Sequence, residues 1–224
     1  MAARPWAPNA GAALLGAGRL IIRLAAARAG AKLTVWRLFL IRHGQPAGAW
    51  GGRDSDPGLS EAGLAQAHGA AAALEAFGPL AVISSPMQRC RQTAAPYASR
   101  RGVEPTLEAR VGEIVADAGA DDRAAWLQAR FPWRDPGKVR TWSSLEPRLH
   151  AWRKAMLDFV SDVRRDTAVF THFIAINVIA GAALKRDATI VCRPGHASIT
   201  ELEVADGALA LVRFGAEMQI DDVR

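Results

Sequence analysis

Two histidines and two arginines follow short apolar runs, at points where strands of a sheet give way to loops. They are the Arg42-His43-Gly44 triplet after a first run, Arg89 shortly after a second, and His172 at the end of a third. Guanidinium groups offer paired donors to phosphate oxygens, and a glycine lets the backbone approach an anion closely. This set of residue types predicts a pocket for a dianionic tetrahedral group such as phosphate.

The elements that must position these side chains alternate between strand and helix from residue 35 onward. The near-continuous apolar runs at 35–41, 80–85 and 167–171 are typical of strands covered on both faces. Helices are predicted between them, which indicates an α/β fold of three layers (αβα) around a mostly parallel sheet. Ligands bind such sheets at the carboxyl ends of the strands, so the candidate residues are expected to converge.

Helix boundaries carry their own signals. Ser60 is a plausible N-cap for an Ala-rich helix over 60–77, and Ser85 with Pro86 predicts the start of the next helix. Oriented N–H groups at that second start would add to the anion site. A further helix is predicted over 173–184.

The C-terminal third predicts three more strands. They are expected at 188–194, 198–207 and 208–215, the last two joined as a hairpin through Asp206-Gly207.

Residues 121–165 interrupt the strand-helix alternation. The segment predicts two helices, interpreted as an insertion over one edge of the sheet, and it contains Trp126, Trp133, Trp142 and Trp152. Buried tryptophans are most often core residues, although they could also line an apolar substrate pocket.

Charge and composition exclude several classes of protein. The chain of 224 residues has a net charge of +6. Five of its cations and no acid lie in residues 1–34, so the remainder is nearly neutral and has no obvious basic stripe for nucleic acid. No apolar run is long enough to span a membrane. We interpret 1–34 as an N-terminal extension or leader and 35–224 as one folded domain.

The cysteines favour a cytoplasmic location. Cys90 and Cys192 form neither a disulfide framework nor a metal-ligand spacing, which fits a reducing compartment. No cofactor or metal is predicted, and the oligomeric state is left open, a homodimer included.

The same residues carry a family resemblance. Four segments, in matching order, resemble motifs of the histidine phosphatase superfamily, branch 1, the phosphoglycerate mutase-like group. They are LIRHGQ (40–45), DPGLSEAGLAQA (56–67), SSPMQRCRQTA (84–94) and FTHFIAINVIAG (170–181). Four ordered motifs are far more specific than one Arg-His-Gly triplet. The resemblance spans roughly residues 35–215 and implies a phosphoglycerate mutase-like fold.

The resemblance implies a role for each residue. His43 would be the nucleophile that takes the phosphoryl group, while Arg42, Arg89 and His172 would bind its oxygens beside Gly44. A neutral imidazole can attack phosphorus, and surrounding cations stabilise the charge on the transferring group without a metal.

The proton donor is assigned through the same resemblance. A leaving alkoxide needs a proton, and Glu113 stands at the position of the family's usual acid. The residues after it, IVADAGADD, depart from the family pattern, so Glu108 and Asp117 remain as alternatives. Phe173 follows His172 in place of the Asp typical of the acid phosphatase branch, which disfavours that branch.

The function expected from these residues is metal-independent hydrolysis of a small phosphomonoester through phospho-His43. A phosphoglycerate mutase is the nearest alternative, and the longer mutase motifs are absent. The altered context around Glu113 keeps open a catalytically weak module that binds a phospho-ligand or a protein. Among the other polar residues, His68 and His150 are expected to be structural or solvated, and Asn177 to support the site or to pack. Whether His196 reaches the rim of the pocket is left open.

Overall fold

The structure is a computed structural model that describes residues 34–48, 56–116, 122–135 and 137–218. The interpretation of residues 1–34 as an extension therefore falls almost wholly outside the described residues. The described strands form one six-stranded sheet of order β3-β2-β4-β1-β5-β6. They are β1 (Trp36–Arg42), β2 (Ala81–Ser84), β3 (Thr106–Leu107), β4 (Thr167–Thr171), β5 (Ile199–Ala205) and β6 (Ala208–Arg213).

The sheet is mostly parallel, as predicted. Strands β3, β2, β4 and β1 are parallel neighbours, and β5 joins β1 and β6 in antiparallel pairs. Five α-helices lie in the described part of the chain: α1 (Glu61–Leu74), α2 (Gln88–Arg101), α3 (Arg123–Arg130), α4 (Pro147–Ser161) and α5 (Phe173–Ala183). None of the described helices is long and apolar enough to cross a membrane.

Alternate residues of β1 divide the helices into two layers. Phe39 and Ile41 are buried in a cluster with side chains of α1 and α2, such as Leu74. Leu38 and Leu40 are buried in a second cluster with side chains of α3, α4 and α5. Because successive strand side chains point to opposite faces, a run that is apolar throughout is covered on both sides. The three-layer prediction is thus confirmed.

The strand register brings the functional residues to one edge. Arg42 pairs with Thr171 across β1 and β4, and the backbone N–H of His43 donates to the Thr171 carbonyl at 2.9 Å. On the other side of β4, the backbone N–H of Ser85 donates to the Phe170 carbonyl at 2.9 Å. Three strand ends therefore stop at the same level.

The tryptophan-rich segment supplies the two predicted helices, α3 and α4. They cover a face of the sheet, however, rather than one edge. Trp142 is 1% exposed and belongs to the same cluster as Leu38 and Leu40 of the central strand β1.

The prediction of a strand at 188–194 is wrong. Ala188 and Pro194 form only isolated bridges, and no ladder joins them. The amides of Val191 and Cys192 donate to Oδ1 of Asn177, at 2.7 Å and 3.0 Å. A buried side chain thus replaces the neighbouring strand, which an apolar sequence pattern cannot distinguish from sheet pairing.

The prediction that Ser85 and Pro86 begin the second helix is also wrong. Helix α2 begins at Gln88, with Met87 at the N-cap and no side-chain capping bond from it. Both carboxylate oxygens of Asp56 accept from the Gln88 amide at 2.9 Å. The acid from a distant loop therefore satisfies the helix start.

Two local predictions are confirmed. Ser60 caps α1 by accepting from the Gly63 amide at 3.1 Å. The β5–β6 hairpin turns through Asp206 and Gly207, both of which have positive φ, as a type I′ turn requires.

Candidate active site

His43 lines a pocket directly after β1. Its Nδ1 lies 2.8 Å from the carbonyl oxygen of Gly44. Because a carbonyl only accepts, Nδ1 carries the proton and Nε2 keeps its lone pair. Burial, followed by the fields of His172, Arg42 and Arg89, lowers the pKa of His43 well below 6.5. The ring is therefore neutral at physiological pH, the state that a nucleophile needs.

Arg42 lines the same pocket and is 9% exposed. Its Nη1 donates to the Pro194 carbonyl at 2.8 Å, and its guanidinium lies 5.2 Å from the centre of the Phe173 ring. Its Nε is buried and has no hydrogen-bond partner among the described residues. Burial lowers the pKa of Arg42 to about 10, so it stays charged at neutral pH. An anion would satisfy this buried donor.

Arg89, on α2, supplies the second guanidinium of the pocket. Its Nη1 lies 3.4 Å from Oδ1 of Asp56, and its Nη2 lies 3.3 Å from Nδ1 of His172. Asp56 also accepts from the start of α2, so one carboxylate fixes both the helix and the arginine that the helix carries.

His172 is wholly buried at the end of β4. Its Nε2 lies 2.8 Å from Oγ of Ser85, and its ring centre lies 5.3 Å from that of His43. Arginine can only donate, so Nδ1 accepts from Arg89 and Nε2 carries the proton. Burial, then the fields of Arg89 and Arg42, lower the pKa of His172 well below 6.5. His172 therefore lies beside His43, as the strand-end pattern predicts, but protein groups engage both its nitrogens and it does not line the pocket.

Glu113 lines the pocket together with His43. Its carboxylate oxygens accept from the amides of Ile114, at 2.9 Å, and Ile174, at 3.3 Å. Burial raises the pKa of Glu113 despite these two bonds. The side chain thus favours its protonated form more than a solvated glutamate does, as a proton donor requires.

The two alternative proton donors are Glu108 and Asp117. Glu108 lies outside the pocket, 2.6 Å from Nη2 of Arg110, and the hydrogen bond from Arg110 lowers its pKa. A carboxylate that an arginine keeps ionised outside the pocket is poorly suited to donate a proton there, so the structure disfavours the alternative of Glu108. Asp117 lies outside the described residues.

Gly44 is required by a close approach of two backbones. A Cβ at Gly44 would lie 2.6 Å from the Gly63 carbonyl oxygen at the start of α1. The Gly44 amide donates to Oγ1 of Thr93 at 2.9 Å. The loop after β1 is thus held between α1 and α2, and the carbonyl that fixes the His43 ring is held with it.

We expect Gly44→Ala to lower the free energy of unfolding by roughly 1–3 kcal/mol, the usual cost of overpacking, and to slow any reaction at His43. Gly69→Ala is the matched control, because a Cβ there meets nothing within 4 Å. That change should instead stabilise α1 by about 0.5–1 kcal/mol. Urea denaturation measures both; an unchanged midpoint for Gly44→Ala would contradict the close approach.

Several residues of the site escaped prediction. Ser85 and Thr93 lie within the quoted motif and hold His172 and Gly44, so their roles could have been sought there. Met218 lines the pocket although no local pattern marks it, whereas Trp133, one of the tryptophans for which a pocket role was left open, lines it as well. His196 does reach the pocket, with its ring centre 5.9 Å from that of His43.

The fold and the pocket define a class of protein: a three-layer α/β domain with a neutral histidine between two arginines at the strand ends. The model of the histidine phosphatase superfamily (branch 1) matches residues 38–217, and the chain belongs to this family. An uncharacterised protein of Mycobacterium tuberculosis strain H37Rv is 32% identical over 137 residues. That match covers 59% of this chain and 64% of the relative, slightly less than two thirds of the relative's length.

Solved structures of similar fold include named phosphatases. The mycobacterial glucosyl-3-phosphoglycerate phosphatase is 26% identical, with a TM-score of 0.57, over 75% of this chain and 90% of that one. The phosphoserine phosphatase of Entamoeba histolytica is 20% identical, with a TM-score of 0.61, over 82% and 98%. YhfR of Bacillus stearothermophilus is 19% identical, with a TM-score of 0.63, over 82% and 98%. The last two establish the likeness of fold alone.

Proposed function

We propose that the chain is a metal-independent phosphomonoesterase that acts on a small phosphorylated metabolite through a phosphohistidine at His43. The observation that carries the proposal is the meeting of His43, Arg42, Arg89 and Glu113 in one pocket. Membership of the family and the phosphatases among the solved structures support it.

In the first step, Nε2 of His43 attacks phosphorus and the bond to the ester oxygen breaks. The leaving oxygen takes the proton of Glu113, so an alcohol departs and a carboxylate remains. Arg42 and Arg89 stabilise the charge on the phosphoryl oxygens. His172, which contacts Arg89, holds that guanidinium and the His43 ring in position.

In the second step, water attacks phosphorus of phospho-His43. The Glu113 carboxylate takes a proton from the water, the bond between Nε2 of His43 and phosphorus breaks, inorganic phosphate is released, and His43 returns to its neutral state. A mutase would instead have to return the phosphoryl group to an alcohol, and the longer mutase motifs are absent from the sequence. We therefore favour hydrolysis.

The test is release of phosphate from 4-nitrophenyl phosphate and a panel of metabolite phosphomonoesters after dialysis against EDTA. We expect undiminished turnover, because two guanidinium groups take the part that metal ions play in other phosphatases. Activity that EDTA removes and a divalent cation restores would overturn the mechanism. Phosphate binding without turnover on any ester would favour the binding-module alternative.

The pH dependence of kcat/KM follows from the two pKa shifts. The lowered pKa of His43 keeps the nucleophile neutral into the acid range, so the rising limb should lie below pH 6.5. The raised pKa of Glu113 preserves the proton donor above the usual carboxyl range, and its loss produces the falling limb. Alkyl esters should show this falling limb strongly. 4-Nitrophenyl phosphate should show it weakly, because nitrophenolate leaves without a proton.

A further inference from the structure

The pocket has two chemically different parts. One part is the phosphate cradle of Arg42, His43 and Arg89. The rest of the described lining is Glu113, His196 and five apolar side chains: Pro46, Trp133, Phe173, Ile174 and Met218. If the cradle holds the phosphoryl group, the leaving group must lie against this second part.

Among the described lining residues, the only cations are Arg42 and Arg89. Arg42 already donates to the Pro194 carbonyl and Arg89 to the Asp56 carboxylate, and the phosphoryl dianion would accept from their remaining N–H groups. The second part adds no positive charge but contains the carboxyl of Glu113. A carboxylate on the leaving group would lose its hydration there without a cation of the described lining to pair with, because Arg123, whose field reaches Glu113, lies outside that lining. Burying an unpaired charge in this way is unfavourable.

The apolar side chains of the second part are anchored in the protein core. Ile174 and Trp133 are 1% and 3% exposed. The Trp133 ring meets the Phe173 ring edge-on, with centres 6.1 Å apart. These side chains are already buried, so the wall is formed before substrate arrives, and an apolar leaving group would pack against it without displacing it.

His196 is the uncharged polar group of this part. Burial and the field of Arg42 lower its pKa to about 3, so the ring is neutral. In the described part of the chain no hydrogen bond reaches either ring nitrogen, unlike those of His172.

The backbone beside His196 is held in a strained conformation. Ala197 has a φ of 55°, in the left-handed region, and its amide donates to the carbonyls of Arg42 and His43 at 3.1 Å and 3.3 Å. A positive φ at a residue other than glycine costs free energy, and here the two hydrogen bonds to the end of β1 hold it in place. These bonds fix the unpartnered imidazole relative to the nucleophile.

Resting on the phosphatase function above, we propose that the site selects phosphomonoesters whose leaving group is uncharged. That leaving group has a largely apolar body, which packs against the wall formed by Trp133, Phe173 and Ile174, and one polar atom, which forms a hydrogen bond with His196.

The test compares primary alkyl esters, so that the acidity of the leaving group stays similar. Glycerol 3-phosphate and 3-phosphoglycerate differ in a hydroxymethyl group against a carboxylate; 4-(hydroxymethyl)benzyl and 4-carboxybenzyl phosphate repeat this difference on an apolar frame. We expect kcat/KM to favour the uncharged member of each pair by on the order of tenfold to a hundredfold, because a carboxylate would be buried without a paired cation. A carboxylate that is equal or better in either pair would overturn the proposal.

The hydrogen bond to His196 is tested by the ratio of kcat/KM for glycerol 3-phosphate to kcat/KM for benzyl phosphate. His196→Phe should lower the kcat/KM of glycerol 3-phosphate relative to benzyl phosphate by about tenfold, and His196→Gln should restore the ratio. An unchanged ratio in His196→Phe would refute the contact. If no ester is turned over, 4-nitrophenyl phosphate included, the hydrolase proposal fails separately. Calorimetry with benzylphosphonate and 4-carboxybenzylphosphonate then decides the charge preference, with equal affinities counting against it.

Discussion

His43→Ala should reduce kcat/KM for every phosphomonoester by on the order of 10⁴-fold or more, the loss typical of a removed nucleophile. The reason is that no other described group in the pocket keeps a free lone pair within the fields of both arginines, since His196 feels the field of Arg42 but not that of Arg89. The imidazole of His172 is engaged at both nitrogens, and His196 lies in the apolar part of the pocket. Loss of the His43 ring therefore removes the covalent route altogether.

The variant is expected to fold. The side chain of His43 makes its one described hydrogen bond to the neighbouring Gly44 carbonyl. Removing this side chain therefore leaves no group from a distant part of the chain without a hydrogen-bond partner. His68→Ala is the matched control, since His68 is exposed on α1 and should keep full activity and stability. Retained binding of inorganic phosphate by His43→Ala, through Arg42 and Arg89, would show that the pocket survives.

The covalent intermediate gives a second readout of the same prediction. Rapid quenching of the wild type with a ³²P-labelled ester should trap label that is lost in acid and retained in alkali, as a phosphoramidate bond requires. His43→Ala should trap none. Label that persists in the variant, or turnover within about tenfold of the wild type, would place the nucleophile elsewhere.

The part of the site that could be predicted from sequence is the part built on strand ends. His43 and His172 each follow a near-continuous apolar run, which is typical of a strand covered on both faces. Parallel neighbours place their carboxyl ends at one edge, so the approach of the two rings follows from the pattern. The capping role of Ser60 was similarly local.

The unpredicted part depends on contacts between distant segments. The apolar run at 188–194 has the composition of a buried strand, but its amides bond to Asn177 on α5. The start of α2 is fixed by Asp56, more than thirty residues earlier. The pattern of apolar residues within either segment gives no indication of such a distant partner.

The pocket lining illustrates the same limit. Trp133 and Met218 are far apart in sequence and meet at the pocket only through the tertiary fold. The role of the tryptophan-rich segment, core or pocket, was open for this reason. Trp142 proves to be core, whereas Trp133 is core and pocket wall at once.

Glu113→Gln should slow alkyl phosphomonoesters by roughly 10²–10⁴-fold, the usual contribution of a positioned general acid, while slowing attack on 4-nitrophenyl phosphate far less. The physical reason lies in the leaving group: an alkoxide is too basic to depart without a proton, and nitrophenolate is not. The amide of glutamine still accepts from Ile114 or Ile174 through its one oxygen, so the local backbone is largely kept.

The discriminating measurement is a plot of log kcat/KM against the pKa of the leaving alcohol for a series of aryl and alkyl esters. The wild type should give a shallow slope, because proton donation offsets poor leaving groups, and Glu113→Gln should give a steep one. Glu108→Gln is the control, since Glu108 lies outside the pocket against Arg110 and should leave the slope unchanged. Equal losses of kcat/KM for all esters in Glu113→Gln would mean that the carboxyl acts on substrate binding instead of proton donation. A steep slope for Glu108→Gln alone would return the role of acid to that residue.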